Sequence, residues 1–136
     1  EIYVVDGNGR SPIDVVASDT STDFVLLRAP GKQFTALPFE ENTPRLGSRL
    51  FTLFADAVGD SVVPTFQTAM LSALTKDFFA ISTPPESDAI IVDFEGRVVG
   101  MSVQGLDGRH TTVPALALRG IGDTLLRKKS DAPLSQ

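Results

Sequence analysis

The stretch Ala89–Gln104, AIIVDFEGRVVGMSVQ, contains two apolar runs separated by a tight turn. The runs Ala89–Phe94 and Arg97–Gln104 are rich in β-branched residues, which favour strands. Glu95-Gly96 between them is a residue pair typical of hairpin turns. This stretch predicts a β-hairpin. It decides the fold class because similar short strand-like runs, separated by turn residues, make up most of the chain.

Further strand-like runs lie on both sides of this hairpin, with Gly, Pro and Asp between them. They are Glu1–Val5, Ser11–Ser18, Phe24–Arg28, Arg49–Phe54, Val62–Thr75, Phe78–Thr83 and Arg109–Val113. Many short strands at this spacing predict an all-β barrel or sandwich. Leu37–Arg45 contains two prolines and predicts an irregular connection. Apolar residues recur at helical period from Leu118, so we expect one C-terminal helix.

The composition excludes several classes of function. The chain has 136 residues, and its 12 Lys+Arg against 17 Asp+Glu give a net charge of −5. The length suits one domain, and the acidic balance argues against nucleic-acid binding. No apolar run approaches the roughly 18 residues of a transmembrane helix, so we expect no membrane span. The lack of Cys excludes disulfides, thiolate catalysis and Cys-based zinc sites in this chain.

Two segments in order resemble the trypsin-like serine proteases of the HtrA type. Val15–Leu27, VVASDTSTDFVLL, is similar to the family's D-x-x-x-D-[LIF]-A-[LV]-[LI] segment, which carries the catalytic aspartate. Pro85–Met101, PESDAIIVDFEGRVVGM, is similar to G-N-S-G-G-P-L-[LV]-N-x-x-G-x-V-[VI]-G-[IM], which carries the nucleophilic serine. Three shorter pieces lie in the family's order at Leu46–Leu50, Ala69–Leu74 and Thr112–Pro114.

The resemblance implies a trypsin-like double β-barrel. The second barrel would be complete, with only the last strands of the first barrel present and a short C-terminal helix. The implied organisation is 1–40 for the first-barrel strands and the connection, 41–129 for the second barrel with its helix, and 130–136 for a flexible tail. Glu1 enters a strand-like run directly, so we expect the chain to be part of a longer protein whose preceding segment holds the family's catalytic histidine.

The resemblance places two residues at catalytic positions. Asp23 matches the aspartate that orients the base, and Ser87 matches the nucleophile. His110 is the single histidine of the chain and follows the Asp107-Gly108 turn. That hairpin is not where the family keeps its base, so we expect His110 to have no catalytic role.

The residues around Ser87 depart from the family's oxyanion loop. Pro85 replaces a glycine whose N–H donates to the oxyanion, and proline has no N–H. Glu86 stands where the pattern has Asn, and Asp88 puts a carboxylate where negative charge would develop. Losing one oxyanion donor usually costs about 10²–10³ in rate. We therefore predict a degenerate protease site of the trypsin-like, HtrA-like family.

Plainer interpretations of the same residues stay open. Ser87 can be a loop serine in a Pro-Pro-Glu-Ser-Asp turn, and Asp23 can bond local amides at a strand start. Glu86 and Asp88 with His110 are a weak pattern for a metal site, because most acidic turns bind nothing. We expect no metal and no cofactor.

Three functions fit these observations. The first is a non-catalytic protease-like domain that binds a protein or peptide, or serves as a scaffold. The second is a trypsin-like serine endopeptidase whose histidine lies in a preceding segment. The third is a structural half-barrel that pairs with another chain. In each case exposed edges predict that a preceding segment or another chain covers Glu1–Leu27. The resemblance implies a periplasmic or extracellular location.

Overall fold

A computed structural model describes residues 2–75, 79–85, 88–104 and 107–131, without the side chains of residues 130 and 131. The chain divides into two compact units. One unit is Ala36–Leu118, and the other combines Glu1–Thr35 with Arg119–Gln136. Each unit is described by itself. No helix of the described residues is both long and apolar enough to cross a membrane.

Six antiparallel strands form the sheet of the unit Ala36–Leu118. Within the unit's described residues they run in the order β10-β9-β8-β5-β6-β7. Their bounds are β5 (Arg49–Val58), β6 (Ser61–Leu74), β7 (Phe79–Ile81), β8 (Ala89–Val92), β9 (Val98–Gln104) and β10 (His110–Pro114). Residues 37–45 form no regular strand, as their prolines predict, although Phe39 makes one bridge to Val98.

The longest hairpin joins β5 and β6. Their pairing runs from Arg49 opposite Met70 to Val58 opposite Ser61, which leaves a two-residue turn. Gly59 is the first residue of that turn and has a φ of 61°. Glycine adopts this left-handed conformation at little cost, and a two-residue turn with glycine first follows the twist of paired strands.

The sheet curls into a nearly closed barrel, because its two edge strands β7 and β10 approach each other. The Thr112 hydroxyl of β10 donates a hydrogen bond to the Phe79 carbonyl of β7. Gly100 of β9 lies against the same phenylalanine, and a β-carbon there would lie 2.8 Å from the Phe79 ring and 2.7 Å from the Val113 carbonyl oxygen. The missing side chain at Gly100 therefore lets the edges meet.

Apolar side chains from five strands fill the barrel. Strand alternation sends every second side chain inward, and these residues form one cluster: Leu50, Ala69, Leu71, Phe79, Ile81, Ile91 and Val99. Three buried positions of these strands are polar, since Thr52, Ser102 and Thr112 are 0%, 1% and 8% exposed. The core thus gives the strands a common interior with a few buried hydroxyl groups.

The other unit contains two separate ribbons and most of the helix. In its described residues, β1 (Tyr3–Asp6) pairs with β2 (Gly9–Pro12), and β3 (Asp14–Asp19) pairs with β4 (Phe24–Arg28). The helix α1 (Ala115–Asp131) has Lys128 and Lys129 in its last turn, where cations stabilise the helix dipole.

The observed elements confirm the all-β class with one C-terminal helix. One predicted strand is wrong in detail, because Ser11–Ser18 is divided between β2 and β3. The physical reason is a change of partner: β2 bonds back to β1, whereas β3 bonds forward to β4. Ile13, between them, still donates its N–H to the Ile2 carbonyl.

Barrel closure predicts a strong effect of Gly100→Ala. The added methyl group would overlap β10 backbone and the Phe79 ring, so we expect a loss of about 1–3 kcal/mol in the free energy of unfolding. Urea denaturation measures it. Gly120→Ala in the helix is the control, because nothing lies within 4 Å of its new methyl group. We expect it to be neutral or stabilising by up to about 1 kcal/mol. Equal effects of the two changes would contradict this account of the closure.

Candidate active site and a neighbouring cavity

The segment between β7 and β8 corresponds to the predicted oxyanion loop. Pro85 is fully buried there, so its ring is packed into the protein and not held in solvent. Proline carries no N–H, and its ring fixes φ near −65°. This position cannot donate a hydrogen bond to an oxyanion. Glu86 and Ser87, the other two predicted residues of the loop, lie outside the described residues.

Asp88 anchors the end of this segment. Its Oδ1 accepts a hydrogen bond of 2.8 Å from the backbone N–H of Gln104, at the end of β9. The residue itself is exposed to solvent. The carboxylate therefore has a structural bond, which fixes a negative charge beside the first residue of β8.

A cavity of about 240 Å³ lies beside the loop. Residues from β7, β9 and β10 line it together with Pro84: Phe79, Ala80, Ile81, Pro84, Ser102, His110, Thr111 and Thr112. His110 is half-buried in its wall, and its Nδ1 lies 3.3 Å from Oγ of Ser102. The histidine thus contacts a buried serine of the neighbouring strand.

Asp23 lies in the other unit, at the entry to β4. It is exposed, and its φ of 59° puts it in the left-handed region, which Asp and Asn tolerate better than most residues. The adjacent Thr22 hydroxyl is buried and has no hydrogen-bond partner within the part of the chain that the structure describes. Asp23, which the resemblance matches to the catalytic aspartate, therefore lies in a tight turn between β3 and β4.

Asp19 organises this turn at the end of β3. Its Oδ1 accepts hydrogen bonds from the hydroxyl and the N–H of Ser21, at 2.6 and 3.0 Å. Lys128 of the helix lies 3.6 Å from the same oxygen and donates to the Ser18 carbonyl at 3.3 Å. The hydrogen bonds from Ser21, helped by Lys128, hold the pKa of the Asp19 carboxyl below its ordinary value.

This lowered pKa predicts a contribution to acid stability. A carboxyl with a lower pKa in the folded state stabilises the protein above its unfolded value of about 3.9, and that stability is lost as the pH falls through the folded pKa. We expect Asp19→Asn to reduce the steepness of unfolding below about pH 4, measured by circular dichroism. Asp14→Asn, in the same strand at an exposed ion pair with Arg28, is the matched control. If both variants changed the acid transition equally, the Ser21 and Lys128 contacts would not be its cause.

Three of the predicted residues lie in one unit of the structure and one lies in the other. Pro85, Asp88 and the His110 cavity all belong to the barrel unit, whereas Asp23 belongs to the other one. The Ser102–His110 contact was missed from the sequence. Pairing the predicted strands across the Asp107-Gly108 turn could have found it, because the register places both residues on one face. Within the described ranges, no group of three or more His, Asp or Glu side chains could hold a metal ion.

Comparisons with known proteins bear on this fold. No protein-family model matches the chain, and no curated protein sequence matches it. Among solved structures, the serine endoprotease from Yersinia pestis is 20% identical, with a TM-score of 0.70 over 92% of this chain and 48% of that chain. The protease Rv3671c from M. tuberculosis in its active form is 19% identical, with a TM-score of 0.68 over 98% of this chain and 65% of that one. A serine-to-alanine mutant of Rv3671c, in an inactive form, gives 18% identity and a TM-score of 0.72 over 98% and 72%.

This chain has the trypsin-like serine protease fold. The likeness confirms the predicted fold class, a trypsin-like barrel with a C-terminal helix. The trypsin-like chain spans about half the length of the Yersinia endoprotease chain. At these identities the likeness establishes the fold and not the chemistry of the site.

Proposed function

We propose that this chain is a protease-like domain without competent serine-protease chemistry, which binds a protein or peptide segment or serves as a scaffold. The observation that carries the proposal is Pro85. A buried residue without an N–H occupies the position where the resemblance requires an oxyanion donor. Chemistry at Ser87 would have to proceed without that donor.

The energetic argument rests on the charge that develops during acyl transfer. Preorganised N–H donors stabilise the oxyanion, and removing one costs about 10²–10³ in rate, or about 2.7–4 kcal/mol. Asp88 places a carboxylate where the resemblance has glycine, beside the position where negative charge would develop, and the N–H of Gln104 in β9 holds its Oδ1. Ala89, where the resemblance has glycine, is 3% exposed and gives the loop less backbone freedom. All three features oppose catalysis.

Peptide binding needs none of these groups. An extended segment can add to a sheet edge through backbone hydrogen bonds, with side-chain pockets supplying specificity. The ribbons β1-β2 and β3-β4 are two-stranded in the described structure, so each has edges for a further strand. Isolated two-stranded ribbons are marginally stable in water, which favours a partner that extends them.

The apolar surface of these ribbons supports a protein partner at Glu1–Leu27. Three side chains of β3 and β4 are about half exposed, since Val15, Val25 and Leu27 have 52%, 53% and 43% of their surface in solvent. Contiguous apolar surface of this kind marks interaction sites on soluble proteins. We propose that a preceding segment or another chain covers this face. Val15 and Leu27 lie opposite each other in the β3-β4 register.

If another segment normally covers the apolar face of β3 and β4, the chain without that segment should associate with itself. We expect sedimentation velocity to show concentration-dependent association between about 10 and 100 µM, since the exposed apolar face is a site for weak contacts. The double variant Val15→Thr, Leu27→Thr keeps β-branched or strand-compatible residues and should lower the associated fraction severalfold. Leu116→Thr, at an apolar helix position that is 61% exposed, is the control. A single monomeric species at all concentrations would contradict the proposal.

A location outside the cytoplasm, in the periplasm or the extracellular space, is part of the same proposal. It is supported by the family resemblance of the sequence and by the bacterial proteases that share the fold. Fractionation of cells that produce the parent protein tests it.

The second candidate is a serine endopeptidase whose catalytic histidine is supplied by a segment outside this chain. The observation that favours it is the fold, because the compared structures are a serine endoprotease and a protease. It must explain how the oxyanion is stabilised with Pro85 in the loop.

A fluorophosphonate probe separates the two candidates, because it reacts with activated serines. We expect labelling of the full-length protein to be at least about 10²-fold below that of an active trypsin-like protease assayed in parallel, owing to the missing donor. Intact mass spectrometry measures it, and Ser87→Ala is the control for labelling elsewhere. Stoichiometric labelling that disappears in Ser87→Ala would establish the endopeptidase and overturn the proposal.

A further inference from the structure

A larger cavity of the unit Ala36–Leu118 lies where the connection 37–45 passes the start of β5 and the turn after β8. Its volume is about 560 Å³. Small-molecule sites span about 300–1,000 Å³, so the cavity is large enough for a small organic ligand. Its lining includes no residue of the segment between β7 and β8, and it is therefore separate from the cavity beside that loop.

Apolar groups form one part of the cavity lining. Leu50 and Val99 are 0% and 3% exposed, so they give the cavity a floor that belongs to the barrel core. Phe94 also lines the cavity, and 79% of its surface lies in solvent. It follows β8, which is the antiparallel neighbour of β5, so it lies at the end of this strand pair where β5 begins. A phenyl ring beside an apolar floor suits an aromatic group of a ligand.

Two arginines line the same cavity from the turn before β5. The N–H of Ser48 donates a hydrogen bond of 3.0 Å to the Arg45 carbonyl, and Arg49 is the next residue, so the turn brings both arginines to the cavity. Both residues are exposed. Neither guanidinium forms an ion pair or a hydrogen bond with the residues that the structure describes. Their N–H donors are therefore available to an anion.

The acidic residues of the cavity already have partners. Asp93 Oδ1 accepts hydrogen bonds from the N–H groups of Glu95 and Arg97, each at 2.9 Å. The Arg97 guanidinium also lies 3.4 Å from the Glu40 carboxylate and 3.5 Å from that of Glu95. Each of the three carboxylates is thus bonded, whereas the two arginines of the turn before β5 are not. The charges left for a ligand are cationic.

We propose that this cavity binds a small organic monocarboxylate that carries an aromatic ring. The carboxylate would lie against the guanidinium groups of Arg45 and Arg49, whose planar forks match carboxylate oxygens. The ring would lie against Phe94 and the floor formed by Leu50 and Val99. A free aromatic acid and the C-terminal residue of a peptide share this chemistry.

The charge balance of the wall favours a monoanion over a dianion. The three carboxylates named above oppose the positive charges of Arg45, Arg49 and Arg97, so the formal charges of this group cancel. The second charge of a dianion such as a phosphate monoester therefore gains little net Coulomb attraction here. Its desolvation costs more, because the cost of taking an ion out of water rises steeply with its charge. A carboxylate is the better match.

Titrations followed by the backbone amide signals of the full chain in nuclear magnetic resonance test the proposal. The probes are 3-phenylpropionate, its neutral isostere 3-phenylpropionamide, and propionate, which lacks the ring. We expect 3-phenylpropionate to shift the amides of Ser48, Arg49 and Phe94 and to bind at least about fivefold more tightly than either other probe. Equal affinities of the acid and the amide would overturn the proposal, and so would tighter binding of phenyl phosphate.

A fourth probe distinguishes the two sources of the ligand. N-acetyl-L-phenylalanine has the same carboxylate and ring and adds the amide group of a peptide. Tighter binding than that of 3-phenylpropionate would support the C-terminal residue of a peptide. Equal or weaker binding would support a free acid.

Variants of the full chain locate the carboxylate. Arg45→Gln and Arg49→Gln should each lower the affinity for 3-phenylpropionate at least about threefold and reduce its preference over the amide, because each removes a charged donor. Arg109→Gln is the matched control, since this side chain is 88% exposed and does not line the cavity. We expect it to change the affinity by less than about twofold. An equal loss in Arg109→Gln would show general charge attraction and contradict the site.

A second pair of variants locates the ring. Phe94→Ala should lower the affinity for 3-phenylpropionate at least about threefold and leave that for propionate unchanged, because propionate has no ring to lose the contact. Phe34→Ala is the control, at a phenylalanine that is 66% exposed and does not line the cavity. Equal losses in the two variants would contradict the ring contact. If a variant does not fold, the comparison of the acid and the amide on the native protein still decides.

Discussion

The close approach of three strands at Gly100 is the constraint on which the barrel depends. A curled sheet of six strands closes only if its edges come within contact distance, and here the β7 edge meets β9 and β10 through the Phe79 ring. Any side chain at Gly100 would occupy the space of that ring. The Thr112 hydroxyl then joins the two edges by bonding the Phe79 carbonyl. Because Phe79 also lines the cavity beside the loop, the same side chain closes the barrel and forms part of the cavity wall.

The buried hydroxyl groups where β7 approaches β9 and β10 need a physical reason. Burying a hydroxyl group costs free energy unless it is hydrogen-bonded, and replacing a bonded pair by apolar groups of the same shape is often nearly neutral. Ser102 Oγ and His110 Nδ1 lie 3.3 Å apart and share a hydrogen bond. The Thr112 hydroxyl instead joins two strands by bonding the Phe79 carbonyl. These buried hydroxyl groups therefore have partners within the barrel wall, which offsets the cost of burying them.

Local patterns predicted the strands well, and long-range pairing explains the differences. The runs on either side of Glu95-Gly96 became β8 and β9, because the turn residues and the β-branched composition agree. The Ser11–Ser18 run divided because its two halves bond to different partners, which no local pattern records. Pro85 could be identified from the sequence because its missing N–H is a covalent property. The environment of His110 could not, since it depends on the register between β9 and β10.

The strands of the barrel and the segment that would carry the oxyanion donors are different parts of this fold, so one can change without the other. The walls of the cavity come from β7, β9 and β10, whose positions are fixed by the core and by barrel closure. The oxyanion donors would come from the segment between β7 and β8, where Pro85 and Asp88 make contacts of their own. Substitutions in that segment can remove interactions made in the transition state without changing the strands or their core. A trypsin-like barrel can therefore keep its fold while the loop that would carry the chemistry changes.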